Sequence, residues 1–213
     1  TAWIAKETDS SKTILFFSRD CYLVKKAYEL MFNKEAEKAV YFLGSRKSLT
    51  LPAMRNDASL SHVEKLIKSE PVQMTVNGLL KKLNLKPSDY DNELKKYGLD
   101  LDTVIDRGHL SENTAFRMFY QDIEGRIHLK ACEAAEGFFK YFDSLKCTEE
   151  IQVVDIGWRC TMQYCLKNLL SEKYTMKGVY LGVREDAQVL IGNECKGFYL
   201  NGVNDFDKRC FLA

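Results

Sequence analysis

The sequence has no pair of cysteines at C-x-x-C spacing, and its three histidines are not paired at the spacing of metal ligands. The cysteines are odd in number and scattered, which speaks against a disulfide framework and against a zinc site. They are Cys21, Cys132, Cys147, Cys160, Cys165, Cys195 and Cys210. Cysteines without a disulfide pattern are typical of a reducing compartment, so we expect a cytoplasmic protein.

Long apolar runs and an excess of one charge are also absent. No apolar run approaches the roughly 20 residues that a membrane helix needs, so we expect no membrane partner. The net charge of +1 gives no reason to expect nucleic acid as a partner. We find no internal repeat, and the first residues lack the pattern of a signal peptide. The start at Thr1 leads us to expect a piece of a longer protein.

Short apolar runs alternate with helical patterns at both ends of the chain. Residues 13–17 and 39–43 are predicted strands, and between them a helix begins after Asp20, a predicted N-cap. The helical face carries Leu23, Ala27, Tyr28 and Met31. Strand, helix and strand within about 30 residues predict parallel strands joined by a right-handed crossover.

The middle of the chain has helical patterns only, over residues 53–146, and the longest runs from 121 to 145. Strand patterns resume at Ile151, and further strands are predicted at residues 178–183, 189–191 and 197–200. We therefore predict an α/β fold in one domain, 1–213, with a mostly parallel, Rossmann-like three-layer sheet. Residues 53–146 would form a helical insertion or cap.

Polar residues follow each of the first three predicted strands of the α/β part. In open α/β sheets ligands bind outside the carboxyl ends of the strands, so these loops are expected to share one pocket. In the third loop, a glycine turn opens an amphipathic helix, an arrangement that favours a bound anion. The predicted phosphate-binding residues are Ser18, Arg19, Ser45, Arg46, Gly157, Arg159 and Thr161.

Two carboxylates, Asp20 and Asp155, lie in the same loops and are the candidate catalytic residues. They would contact sugar hydroxyls or a divalent cation such as Mg²⁺, although two carboxylates are too few ligands to predict a metal site. Simpler interpretations stay open: Asp20 caps its helix, Arg19 pairs with Asp20, and Arg46 is a solvated loop residue.

Three further features have two interpretations each. Cys21 and Cys160 lie near a helix N-terminus and an arginine, which would lower a thiol pKa, but a small buried filler is the commoner role. Trp158 either stacks on a base or sugar or packs on the sheet edge. The segment from Asp100 to Thr103 imitates an aspartyl-phosphate phosphatase motif, but without a buried strand before it we predict a helix N-terminus.

The three loops resemble a bacterial family, predicted hydrolases of the haloacid dehalogenase superfamily found with capsule and cell-surface polysaccharide synthesis. That family has a phosphatase-like domain followed by a second α/β region, and the resemblance is to the second region. The matching segments are Phe16-Phe-Ser-Arg-Asp-Cys-Tyr-Leu23, Ser45-Arg-Lys-Ser48 and Asp155-Ile-Gly-Trp-Arg-Cys-Thr-Met-Gln163. The phosphatase domain with its nucleophilic aspartate has no counterpart in this sequence.

The resemblance adds Gln163 to the expected ligand-binding residues. It implies binding, with transfer or hydrolysis, of a phosphorylated sugar or nucleotide-sugar. Cys21 and Cys160 stand where the family pattern has glycine, which would allow a positive φ or close approach to a ligand. The alternatives are a non-catalytic accessory domain that docks onto an enzyme partner, and a phosphoribosyltransferase-like enzyme, to which the Asp155 loop has a faint similarity. The oligomeric state is left open.

Overall fold

A computed structural model describes residues 1–68, 70–170 and 173–203. Its helices in these residues are α1 (Ala2–Glu7), α2 (Tyr22–Phe32), α3 (Arg46–Ala53), α4 (Leu60–Leu66), α5 (Val76–Lys82), α6 (Asp91–Lys96), α7 (Thr114–Ser144), α8 (Thr161–Leu170) and α9 (Glu185–Ile191). The strands are β1 (Thr13–Phe17), β2 (Ala39–Phe42), β3 (Gln73–Thr75), β4 (Val104–Asp106), β5 (Glu150–Asp155), β6 (Thr175–Arg184) and β7 (Cys195–Val203).

Five strands form one parallel sheet in the order β2-β1-β5-β6-β7. The neighbours β1 and β5 are aligned so that Phe16 lies opposite Val154. The prediction of an α/β fold with a mostly parallel, Rossmann-like sheet is confirmed, as is the parallel β1–α2–β2 unit.

The central strands are buried on both faces, which is why their sequences are almost continuously apolar. All five residues of β1 are buried, and so are residues 151–154 of β5. Gln152 is the polar exception in β5, and its amide is fully used: Nε2 donates to the Asp9 carbonyl and Oε1 accepts from the Asp9 N–H, at 2.8 and 2.7 Å. These paired bonds satisfy a buried amide that would otherwise be costly.

Helices cover both faces of the sheet. On one face α1 and α2 pack against Phe16, Val154 and Val179. Tyr180, the next residue of β6, points to the opposite face and packs with side chains of α8 and α9. Successive residues of one strand thus divide between two cores, giving a helix–sheet–helix arrangement of three layers.

The chain divides into two compact units. Unit 1 comprises residues 1–45 and 142–213 and holds the five-stranded sheet, and unit 2 comprises residues 46–141. Unit 2 is mostly helical, but β3 and β4 pair there as a short antiparallel sheet. The expectation that residues 53–146 contain helices alone is therefore wrong. Strands of three residues are too short to show an alternating pattern in the sequence.

Two local predictions also fail. Residues 189–191, a predicted strand, form the last turn of α9, because acidic residues occupy its first turn and Gly192, at a φ of 61°, ends it. The N-cap of α2 is Cys21 rather than Asp20, and no side chain caps that helix end. The long helix predicted at 121–145 is confirmed and begins earlier, at Thr114. None of the helices in the described ranges combines the length and apolar character that crossing a membrane requires.

Candidate functional site

The strand order of unit 1 places a topological switch point between β1 and β5, where sheets of this kind have a crevice. From β1 the chain moves outward to β2, whereas from β5 it moves the other way to β6, so the direction of winding reverses between these two strands. Their helices leave on opposite faces: α2 packs beside Phe16 and Val154, and α8 reaches Tyr180 on the other face. Such a switch point, at the carboxyl ends of the strands, is where open α/β sheets bind ligands.

The loop after β1 contributes Ser18, Arg19 and Asp20. The Ser18 hydroxyl donates to the Gly44 carbonyl at 2.9 Å and its N–H donates to the Phe42 carbonyl at 3.0 Å, which ties this loop to the end of β2. The Arg19 side chain is 96% exposed, and its Nε lies 4.0 Å from an Asp20 carboxylate oxygen. A pair at this distance and exposure holds the guanidinium weakly, so Arg19 can turn towards an anion.

The loop after β2 is divided between the two units. Ser45 is exposed and follows Gly44 directly, so it shares an edge of unit 1 with Ser18. Arg46 begins α3 in unit 2, where its Nη1 lies 3.5 Å from Glu70. The predicted residues that unit 1 brings together at the β1 and β2 ends are therefore Ser18, Arg19, Asp20 and Ser45.

The turn after β5 is closely packed around Gly157 and Trp158. A Cβ on Gly157 would lie 2.7 Å from an Asp155 carboxylate oxygen, so only glycine leaves the Asp155 side chain in its position. The Trp158 ring lies over Gly182 of β6, where an added Cβ would be 2.4 Å from the ring. This position favours the interpretation that Trp158 packs on the sheet. The glycine at 182 makes room for the indole.

Arg159 shares a carboxylate with a second arginine. Its Nη1 lies 3.5 Å from one oxygen of Asp186, and Arg184 Nε donates to the other oxygen at 3.0 Å. The Asp186 charge is therefore divided between two guanidinium groups, and the three residues together carry one net positive charge. The sequence did not predict Arg184 and Asp186 as site residues, although they lie at a strand end. The apolar run at 189–191 predicts a strand, so the helix that begins at residue 185 was not expected.

The two cysteines of the loops are not activated nucleophiles. Cys21 is fully buried and its thiol donates to the Val154 carbonyl at 3.4 Å. Burial, with a smaller contribution from the negative charge of Asp155, raises the pKa of Cys21 to about 12. Since the thiolate is the reactive form, the hypothesis of a low thiol pKa is wrong here.

Cys160 occupies a backbone conformation that favours glycine. Its φ is 52°, in the left-handed region, whereas Cys21 has a φ of −84° that any residue can adopt. Of the two positions where the family pattern has glycine, only position 160 therefore has a backbone conformation that favours it. A hydrogen bond with Cys195, together with burial, raises the pKa of Cys160. The hypothesis of a low thiol pKa is therefore wrong for this residue as well.

Two other predicted ligand residues lie inside unit 1. Thr161, the first residue of α8, is buried. Gln163 is completely buried: its Oε1 accepts from the Tyr180 hydroxyl at 2.8 Å and its Nε2 donates to the Glu194 carbonyl at 3.1 Å. Both ends of the amide are thus used within the protein. Gln163 joins α8 to β6 and to the residue that precedes β7, a structural role.

The phosphatase-like segment lies in a turn of unit 2. The Asp100 carboxylate accepts from the Asp102 N–H at 3.0 Å and from the Thr103 hydroxyl at 2.8 Å, and β4 begins at the next residue. The predicted helix N-terminus is wrong. As expected, no strand lies directly before Asp100, since the described chain there is α6 and a turn. The carboxylate closes a turn, an ordinary task for aspartate.

A concave region with a volume of about 520 Å³ lies within unit 2. It is lined by Asn56, Asp57, Ala58, Gln121, Glu124, Gly125 and His128. These described lining residues include two carboxylates and neither lysine nor arginine, so the region does not suit a phosphate. Within residues 1–68, 70–170 and 173–203, no group of three or more His, Cys, Asp or Glu side chains is arranged to hold a metal ion.

Comparison with known proteins adds no assignment. No model of a known protein family matches the chain, and no curated protein matches it.

Proposed function

We propose that unit 1 binds a phosphorylated sugar or nucleotide-sugar at the loops that follow β1 and β5. The observation that supports this most is the position of the Ser18–Asp20 and Asp155–Arg159 loops on the two sides of the β1/β5 switch point. In folds of this strand order that crevice is the usual ligand site. The choice of a sugar ligand depends on the resemblance of the three loops to the second region of the polysaccharide-associated hydrolases.

Each residue has a role that its surroundings allow. Arg19 is the exposed cation that would hold phosphate, and Arg159 would add charge from the other side of the crevice. Backbone N–H groups at the start of α8, a helix of 10 residues, would complete the anion site. Asp20 and Asp155 would accept hydrogen bonds from sugar hydroxyls, or hold a divalent cation such as Mg²⁺ with the phosphate. Transfer or hydrolysis would depend on the same two carboxylates.

The proposal is tested by thermal stability with and without ligand. Inorganic phosphate, glucose 1-phosphate and UDP-glucose are the probes, and glucose is the unphosphorylated control. A ligand that binds only the folded state raises the free energy of unfolding by about 2.7 kcal/mol when its concentration is about 100 times its dissociation constant. Arg19→Ala is expected to abolish the shift without lowering the stability of the free protein, because its side chain is almost fully exposed.

The matched control is Lys34→Ala. Lys34 is also an exposed cation of unit 1, but it follows α2 and so lies at the opposite edge of the sheet from Arg19. Its removal changes the net charge equally and should leave the thermal shift intact. If no probe stabilises the wild type, or if both variants lose the shift equally, the ligand proposal fails.

The second candidate function is a non-catalytic domain that docks onto an enzyme partner. The bond between Arg159 and Asp186 favours it, because an internal ion pair at a strand-end loop reduces the charge available to a ligand. The burial of Gln163 points the same way. The thermal assay separates the two functions, since the docking domain should respond to none of the phosphorylated probes.

A further inference from the structure

Two cysteines that lie far apart in the sequence, Cys160 and Cys195, meet inside unit 1. Both are buried and belong to the same apolar cluster between the sheet and the helices α8 and α9. The Cys160 thiol donates a hydrogen bond to the Cys195 sulfur. The Cys195 thiol in turn donates to the Gly192 carbonyl at 3.8 Å. The two sulfur atoms are therefore in contact in the folded protein.

The packing of α8 on the sheet holds the two cysteines together. Cys195 lies opposite Gly178 of β6, and a Cβ on Gly178 would lie 2.1 Å from Gln163 Oε1, so α8 packs closely on this part of the sheet. The Gln163 amide also donates to the Glu194 carbonyl at 3.1 Å. Cys160 directly precedes α8, and Cys195 directly follows Glu194. The contact between the thiols is thus fixed by a helix and two strands.

The backbone at Cys160 is a second, independent observation. Its φ of 52° lies in the left-handed region, where glycine is favoured and an L side chain is strained. Residues held in such conformations are concentrated at functional sites. The side chain that causes this strain is the one that reaches Cys195, which gives a reason for a thiol at position 160.

We propose that Cys160 and Cys195 are a redox-active pair that forms a reversible disulfide when a peroxide oxidises it. Cys195 would react first, because it begins β7, the last strand in the sheet order, and its sulfur lies beside the exposed Gly192. The hydrogen bond from Cys160 lowers the pKa of Cys195, which increases the fraction of reactive thiolate.

The reaction takes two steps. The Cys195 thiolate attacks one oxygen of hydrogen peroxide, and the O–O bond breaks to leave a sulfenic acid. The hydroxide that departs takes the proton lost by the thiol and becomes water. The Cys160 sulfur then attacks the Cys195 sulfur, so that the S–S bond forms and the S–O bond breaks. A second water leaves with the Cys160 proton. Two thiols are thus oxidised by two electrons, and one peroxide is reduced to two waters.

The starting geometry favours the second step and the return. Sulfur atoms in hydrogen-bond contact need only a small side-chain movement to reach the disulfide length of about 2.0 Å. A dithiol restores both thiols by exchange. The reaction uses none of the proposed ligand-binding side chains, so the inference is independent of the proposed function and is tested without a ligand.

Mass spectrometry of the native full chain tests the pair. The protein is treated with hydrogen peroxide, free thiols are blocked with iodoacetamide, and the protein is digested with trypsin. We expect peptides 160–167 and 185–196 to appear linked, lighter by two hydrogen atoms than their sum, and to separate in dithiothreitol. Cys160→Gly should abolish the linked product, and it should fold because glycine relieves the left-handed backbone.

The matched control is Cys165→Ala. Cys165 is buried in α8 and lies in the same tryptic peptide as Cys160, so this variant should keep the linked product. Circular dichroism of both variants checks that the fold is retained. A native wild type that gives no linked peptides overturns the proposal. A disulfide between Cys195 and Cys165 overturns it as well, and so does a link that forms only in urea.

Thermal unfolding gives a second measurement. The disulfide would close a loop of about 35 residues and should raise the Tm of the oxidised wild type by roughly 5 °C or more. Dithiothreitol should reverse the rise, and peroxide should not raise the Tm of Cys160→Gly. A linked wild type with an unchanged Tm would show that the bond strains the fold, which contradicts a pair already in position.

Discussion

Gln163 has two candidate roles, ligand binding and support of the fold. Gln163→Ala separates them, because the first predicts a loss of ligand affinity and the second a loss of stability. The substitution removes two hydrogen bonds, at 2.8 Å from the Tyr180 hydroxyl and at 3.1 Å to the Glu194 carbonyl. Each bond contributes about 1 kcal/mol net, and a buried hydroxyl left without a partner costs about 1–3 kcal/mol more. We therefore expect the free energy of unfolding to fall by roughly 3 kcal/mol, within the range for loss of a buried hydrogen-bond network.

Urea denaturation followed by tryptophan fluorescence measures this loss. Lys167→Ala is the control, because Lys167 lies on the same helix and reaches the Glu194 carboxylate at 2.7 Å from the exposed side. A surface pair of this kind contributes about 0–1 kcal/mol, so the control should be nearly neutral. Tyr180→Phe combined with Gln163→Ala should cost less than the sum of the single variants, because they share one bond. A Gln163→Ala protein that is as stable as the control but has lost ligand affinity would refute the structural role.

Three further predictions concern the same loops. Cys160→Gly should be more stable than Cys160→Ala by about 1 kcal/mol in urea denaturation, because only alanine is strained at the φ of 52°; equal stabilities would contradict the left-handed backbone. Gly182→Ala should displace the Trp158 ring, shift its fluorescence to longer wavelength and cost about 1–3 kcal/mol; an unchanged emission spectrum would count against the packing. In the native protein, iodoacetamide should label the half-buried Cys132 before Cys21, because burial raises the pKa of Cys21 to about 12. Mass spectrometry of the labelled protein measures the order. Because burial favours the neutral thiol, the fold has its full stability below about pH 9, the ordinary thiol value, and loses stability as the pH rises from there towards 12. Faster labelling of Cys21 than of Cys132 would contradict this.

The sheet could be predicted from the sequence because its central strands are buried on both faces. Residues 13–17 are apolar without interruption, and the observed strand β1 has the same limits. Residues 189–191 show the limit of this signal, because a short apolar run fits a strand and the end of a buried helix equally well. The acidic residues in the first turn of α9 and Gly192 at its end favour a helix over a strand. These signals lie at the two ends of the helix and not within the apolar run.

The candidate site could be predicted to the level of loops but not of side chains. The strand-end rule locates Arg19 and Arg159 correctly on the sheet edge, since it depends only on strand direction. Whether an arginine is exposed or shares a carboxylate depends on contacts between residues far apart in sequence. Asp186 is 27 residues from Arg159, and no local pattern links them.

The difference between these two arginines decides how the β1/β5 crevice could bind an anion. The Arg159 guanidinium is about one-third exposed and shares Asp186 with Arg184, so moving it to a ligand would break an existing interaction. Arg19 is almost fully exposed and loses only a pair at 4.0 Å, which in water contributes little. A phosphate at this edge would therefore gain most of its attraction from Arg19 and the N–H groups that begin α8. Asp186 would act by fixing the position of Arg159 rather than by contact with the ligand.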